Sequence, residues 1–166
     1  MIKKIGYCIL FLLTINSCAQ QGEDSIRLIP EGHQGVVLII FNQEDGEPKE
    51  YQDGKRIYRI PENGILKSQF EPNYGIQKHQ YFYVNSQGEK TEIPFVLVNN
   101  KEVIKEITPN NIYAYFEKAM GKSFGIDAQG KEYIIEPART FYVGSLKDID
   151  KEHRELLGFT FKHHKK

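Results

Sequence analysis

From Arg27 to Phe70 the chain reads RLIPEGHQGVVLIIFNQEDGEPKEYQDGKRIYRIPENGILKSQF, short apolar runs broken by Asp45-Gly46, Asp53-Gly54 and Asn63-Gly64. Such pairs supply the φ > 0 backbone that tight primed turns require, which makes them strong hairpin signals. Val36 to Phe41 is an unbroken apolar segment, too short for an ordinary helix and rich in β-branched residues, and it reads as a buried strand. Lys55 to Ile60 alternates, Arg56, Tyr58 and Ile60 facing one way and Ile57 and Arg59 the other. Asn63-Gly64 then opens a strand from Ile65 to Phe70.

The remainder follows the same grammar. Ser25 to Ile29 is a strand stopped by Pro30. His79 to Asn85 is another, with Tyr81 and Tyr83 on one face and Phe82 and Val84 on the other. Pro94 inside Glu92 to Asn99 marks an edge or a bulge, because proline cannot donate to a ladder. Gln129-Gly130 joins Ser123–Asp127 to Lys131–Glu136, and Arg139 to Val143 is the last strand. Two segments predict helix. Thr108-Pro109 supplies an N-cap and a first-turn proline, after which Ile112, Tyr115, Phe116, Ala119 and Met120 recur at helical spacing up to Gly121, giving a helix over 109–120. Ser145 to Asp148 resembles a capping box ahead of an Ile149, His153, Leu156, Leu157 stripe, giving a second over 146–157. The expectation is a mainly β fold, an antiparallel β-sandwich with these two short helices.

With 166 residues, 40% of them hydrophobic, the chain suits one moderate core. Its 22 basic and 22 acidic residues give no electrostatic footprint for nucleic acid.

The first residues carry an address. Lys3 and Lys4 precede a short apolar run, Ile5 to Leu13, the charged and hydrophobic regions of a secretory leader, too short to span a bilayer. Ile15-Asn16-Ser17-Cys18 resembles the lipobox of bacterial lipoproteins, with Asn16 a less usual middle residue. That resemblance implies a leader over residues 1–17, removed with Cys8, and diacylglyceryl attachment to the thiol of Cys18 as the new N-terminus. Several acyl chains at about 0.8 kcal/mol per buried methylene anchor stably. No second cysteine then remains for a disulfide. Residues 18–25 read as a polar tether, and 26–166 as the single β-rich domain. Ala19, in place of Asp, resembles lipoproteins sent on to the outer membrane, and Glu23-Asp24 faintly resembles surface-export signals.

Chemistry is harder to find. Gly121-Lys122-Ser123 resembles the tail of a phosphate-binding loop, yet Phe116 stands where its first glycine belongs. Gly144-Ser145 lacks the flanking pattern of a nucleophile elbow. The five histidines show no metal spacing, and no cofactor is implied. Asp45, Glu47, Asp53 and Asp127 would bind calcium only if distant turns converged. The tyrosines Tyr51, Tyr58, Tyr74, Tyr81, Tyr83 and Tyr142 lie on or beside strands. Tyr58, Tyr81 and Tyr83 form the candidate ligand face if open to solvent, against the plainer reading that tyrosine favours half-buried strand positions.

IPEGHQGVVLIIF, then DGKRIYRIPENGILKSQF, and later FYVGS resemble a family of small uncharacterised bacterial lipoproteins over about residues 27–144. The family carries no activity, so the resemblance implies no catalytic residue. The strand pattern also resembles transthyretin-type sandwiches, a likeness of fold alone. The leading expectation is a non-enzymatic envelope module, held to the membrane through its N-terminal lipid, that binds an envelope protein or a glycan. A hydrolase built on Glu62, Asp127 and Glu136 and a ligand-free spacer are the alternatives.

Overall fold

The computed structural model describes residues 21–97, 108, 110–127 and 129–145. Cys18, its leader and the helix expected over 146–157 lie outside them. The elements in chain order are β1 (Ser25–Pro30), β2 (Gly35–Ile40), β3 (Glu50–Gln52), β4 (Lys55–Arg59), β5 (Ile65–Lys67), β6 (His79–Val84), β7 (Lys90–Glu92), β8 (Phe95–Val96), β9 (Ile112–Met120), β10 (Ser123–Ile126), β11 (Glu132–Ile135) and β12 (Ala138–Ser145). Two five-stranded sheets, ordered β3-β4-β1-β6-β7 and β5-β2-β12-β9-β8, pack over one core, and β10-β11 stands apart as a two-stranded hairpin.

The core comes from period-2 alternation. Ile29, Tyr58, Ile60 and Tyr81 on the first sheet face Val37, Ile39, Phe41, Phe141 and Val143 on the second. Fully burying one such aliphatic contributes about 1.5–3 kcal/mol. Tyr81 and Phe141 meet edge to face across the sandwich, ring centroids 5.1 Å apart.

The sheets are mixed, which corrects the expectation of an antiparallel sandwich. β1 runs parallel to both its neighbours, β4 and β6, and β2 runs parallel to β5. The cause is a repeated arch. Ile29-Pro30-Glu31 ends β1 and carries the chain across to β2; Ile60-Pro61-Glu62 ends β4 and carries it across to β5. Stacking one arch on the other makes both pairs parallel. Ile93-Pro94 crosses the same gap between β7 and β8, and Ile29, Ile60 and Ile93 all sit in the core. Each proline ends its strand where no ladder N–H is needed. Asn63-Gly64 therefore makes an arch and not a hairpin. Gly64 has φ 74°, and a Cβ there would lie 2.6 Å from the Val36 carbonyl oxygen. Asp53-Gly54 is the hairpin expected, joining antiparallel β3 and β4 with φ 51° and 73°.

The helix predicted over 109–120 is a strand, β9, paired antiparallel to β12. A β-bulge caused the misreading. The register shifts between Thr140 and Tyr142, and Phe116 there has φ 54°. Ile112 and Ala114 face the core, Tyr113, Tyr115 and Phe116 pack on the other face, and Glu117 points back inward. The bulge opens one gap of three on the inward face, from Ala114 to Glu117, and the apolar stripe that imitated a helix mixes residues of the two faces, Ile112 on one and Tyr115 and Phe116 on the other.

Candidate functional site

The most unusual feature lies between the sheets. Arg27 shares a strand face with Ile29, so β1 drives its guanidinium into the core, wholly out of solvent. It lies 4.9 Å from the centroids of both the Tyr81 and Phe141 rings. The bulge in β9 brings Glu117 to it from the opposite sheet. Arg27 donates through Nη2 to Glu117 Oε1 at 2.6 Å and through Nη1 to Oε2, a bidentate pair. Arg27 Nη1 also donates to the Tyr81 hydroxyl at 2.6 Å, and that hydroxyl donates to Glu117 Oε2.

Arg139, on the inward face of β12, donates from Nη1 to Glu117 Oε1 at 3.0 Å and from Nη2 to the Asn73 carbonyl at 3.0 Å. Its Nη1 lies 2.7 Å from His79 Nε2. A guanidinium only donates, so Nε2 is the acceptor and the imidazole proton sits on Nδ1. Nδ1 in turn donates to Ser25 Oγ at 2.8 Å.

The charge states follow. Burial alone would raise the Glu117 pKa, but the Arg27 guanidinium outweighs it and holds the carboxyl near 2. Burial and the two neighbouring guanidiniums, Arg27 first, depress His79 to about 4. Burial, with the Glu117 carboxylate beside it, pushes the Tyr81 phenol upward, so it remains a donor. Serine, histidine and glutamate are thus neighbours without forming a nucleophile and its base. His79 gives its proton to buried Ser25 and has its other nitrogen occupied by Arg139, so it cannot deprotonate the hydroxyl.

The expected tyrosine face is closed. Tyr58 and Tyr81 are core residues, and half-buried Tyr83 donates its hydroxyl to the His33 carbonyl at 2.6 Å. Glu62, Asp127 and Glu136 occupy separate places. Glu62 lies in the second arch, Asp127 accepts the Gln129 and Lys131 amides in the β10–β11 turn, and Glu136 is buried just before β12. Among the described residues no group of three or more His, Cys, Asp or Glu is placed to hold a metal ion.

Sequence reasoning missed Arg27, His79, Glu117 and Arg139. A signal existed for Arg27, a charge flanked by Ile26 and Leu28 and in phase with Ile29. For Glu117 the bulge hid the phase.

Both ends of the first sheet are also defined. Since β1, β4 and β6 are parallel, their C-terminal ends lie together, and there a cleft of about 470 Å³ opens, with Pro30, Ile60 and Val84 as its apolar lining and Arg59, Glu62 and Asn85 among its polar groups. At the opposite end residues 21–24 are clamped onto the loop 71–78. Gln21 bridges Ile76, and Gly22 N–H donates to the Ile76 carbonyl at 3.1 Å. Asn73 both receives the Glu23 amide and donates to the Glu23 carbonyl, and the Lys78 amide donates to Asp24 Oδ1 at 2.8 Å. The polar tether expected over 18–25 is therefore fixed to the domain from Gln21 onward, and Ser25 is buried in β1.

Residues 21–140 match the model of a family of unknown function, DUF6843. The chain belongs to that family. The match spans nearly the whole stretch on which the resemblance to small uncharacterised lipoproteins rested. Among solved structures the chain is similar to a 2.75 Å crystal structure named "putative lipoprotein" from Bacillus anthracis, with 16% identity and a TM-score of 0.48 over 85% of this chain and 96% of the other. No curated protein matches the chain significantly.

Proposed function

We propose that this is a lipid-anchored, non-enzymatic module of the cell envelope that binds an envelope protein or glycan in the cleft at the arch end of the first sheet. One observation carries the reading: the arch-end cleft is an open concavity in which Arg59, held by Glu50, lies with Glu62, Asn85 and Ser86 over an apolar lining, while the charges between the sheets are engaged with one another. A few polar groups over an apolar surface are what a ligand-binding cleft presents. The lipobox ending at Cys18 supports attachment to the membrane, and Ala19 after it supports onward transfer to the outer membrane, with the domain facing outward.

Two experiments test this. Cys18→Ala removes the thiol that the lipid requires, so it should abolish lipid labelling and free the protein from the membrane fraction; undiminished membrane retention would refute the anchoring. The intact protein, offered solubilised envelope proteins by photocrosslinking and glycans on an array, should capture a partner that Arg59→Ala with Asn85→Ala weakens. Capture unaffected by that pair would move binding away from the cleft.

A further inference from the structure

We infer that the loop 71–78 is a membrane-contact surface, with Tyr74 and Ile76 resting at the headgroup level of the bilayer that holds the lipid on Cys18. The inference rests on the lipidation proposed above and adds an orientation to it, the arch-end cleft pointing away from the membrane.

Chain length is the first argument. The described chain begins at Gln21, bridged to Ile76, only three residues beyond Cys18. At roughly 3.3–3.6 Å per residue, full extension spans about 10 Å. The headgroup zone on each side of a bilayer is itself on the order of 5–7 Å deep. A glyceryl-bearing Cys18 therefore leaves Gln21, and the loop clamped to it, no room to leave the surface. A flexible tether over 18–25 would let the domain drift further from the bilayer; the bridge from Gln21 to Ile76 keeps that loop within about 10 Å of Cys18.

Surface chemistry is the second. Tyr74 is 52% exposed and Ile76 is 70% exposed, an amphipathic ring beside an aliphatic chain, with Gly75 turning between them at φ 100°. Aromatic and aliphatic groups of this kind settle at the membrane–water boundary. The neighbouring carboxylates are paired, Glu23 with Arg56 at 2.5 Å and Glu71 with Lys49 at 2.5 Å, which lowers repulsion from an anionic leaflet.

Rigidity is the third. Arg139, a member of the buried cluster, donates to the Asn73 carbonyl, and Asn73 holds both the amide and the carbonyl of Glu23. The loop is thereby tied to the core and presents its two side chains in a fixed direction. The exposed Phe124 and Ile126 lie instead on β10, in the separate two-stranded hairpin.

The chain contains no tryptophan, so Tyr74→Trp and Ser86→Trp each introduce a single indole that can be excited apart from the tyrosines, one in the loop and one at the cleft. Each variant of the lipidated full-length protein would be reconstituted into vesicles of phosphatidylethanolamine and phosphatidylglycerol carrying a brominated lipid. Mass spectrometry of the same samples reads the modification of Cys18. The expected result is a blue-shifted, several-fold more strongly quenched indole at position 74 than at 86. Ile76→Trp repeats the measurement should position 74 not tolerate the larger ring. Equal quenching at both positions, or none at 74 on a lipidated chain, would overturn the contact surface and leave the anchoring intact. An unmodified thiol would remove both.

Discussion

Glu117 on β9 and Arg27 on β1 join the two sheets, one carboxylate gripped by both terminal nitrogens of a guanidinium that no solvent reaches. Core aromatics flank Arg27, which has no water to fall back on, and Glu117 keeps only a small exposed edge. Removing one partner strands the other, which typically costs about 3–5 kcal/mol. Glu117→Gln should therefore lower stability by that order in urea unfolding, with Arg27 and Arg139 left facing each other. Arg27→Met combined with Glu117→Leu should cost less than the sum of the single changes, because the stranded charge disappears. Additive losses would show that the pair is not coupled.

The same cluster sets the response to acid. His79 is neutral in the folded protein, its pKa near 4 against about 6.5 in an unfolded chain. As pH falls between those values the unfolded chain takes up a proton that the folded protein refuses, and stability declines. Burial depresses His33 as well, so it acts in the same direction. Glu117, held near 2, adds a second loss below about 4.5. The urea midpoint should fall continuously from near neutrality downward, and His79→Gln should flatten the upper part of that slope. An unchanged slope above pH 4.5 would remove His79 from the account.

How much of this could be read from the sequence depends on what each residue's signal measures. Alternation around Tyr58 and Tyr81 correctly gave strand faces, because period 2 is a local property. Asp53-Gly54 correctly gave a hairpin. Asn63-Gly64 carries the same dipeptide signal and makes an arch, since positive φ fixes the turn but not which sheet the next strand joins. Ile112 to Met120 looked helical because β9 carries apolar residues on both faces and one inserted residue breaks the alternation that would have separated them. The tyrosine count could not say whether the faces of Tyr58 and Tyr81 were open, which depends on the opposing sheet. Arg27 and Glu117 are 90 positions apart, and no local pattern pairs them.

Two glycines with nearly equal φ separate backbone strain from crowding. Gly54 has φ 73° and open space around a would-be Cβ, whereas Gly64 has φ 74° and a carbonyl oxygen 2.6 Å away. Gly54→Ala should cost about 1–2 kcal/mol, the penalty of a left-handed conformation alone. Gly64→Ala adds a clash at the arch that sets β5 beside β2, for a total of about 2–5 kcal/mol. Chemical denaturation of the two variants decides it, and equal losses would mean that the arch yields freely.

Gly22 offers the sharpest test of the clamp. A Cβ there would lie 2.6 Å from the Tyr74 carbonyl oxygen, 2.7 Å from Gln77 Cγ and 2.8 Å from Asn73 Oδ1. The segment cannot keep its place with a larger residue, yet it touches the rim of the domain and not its core. Gly22→Val should thus release residues 21–24 and deprotect the amides of Gly22, Glu23 and Lys78 in hydrogen exchange, while the global urea midpoint changes little. The amides of β2 and β12, buried at the centre of the second sheet, serve as the internal reference. Loss of protection there as well would mean that the N-terminal segment holds the fold together, and the loop could then not be treated as a separately anchored surface.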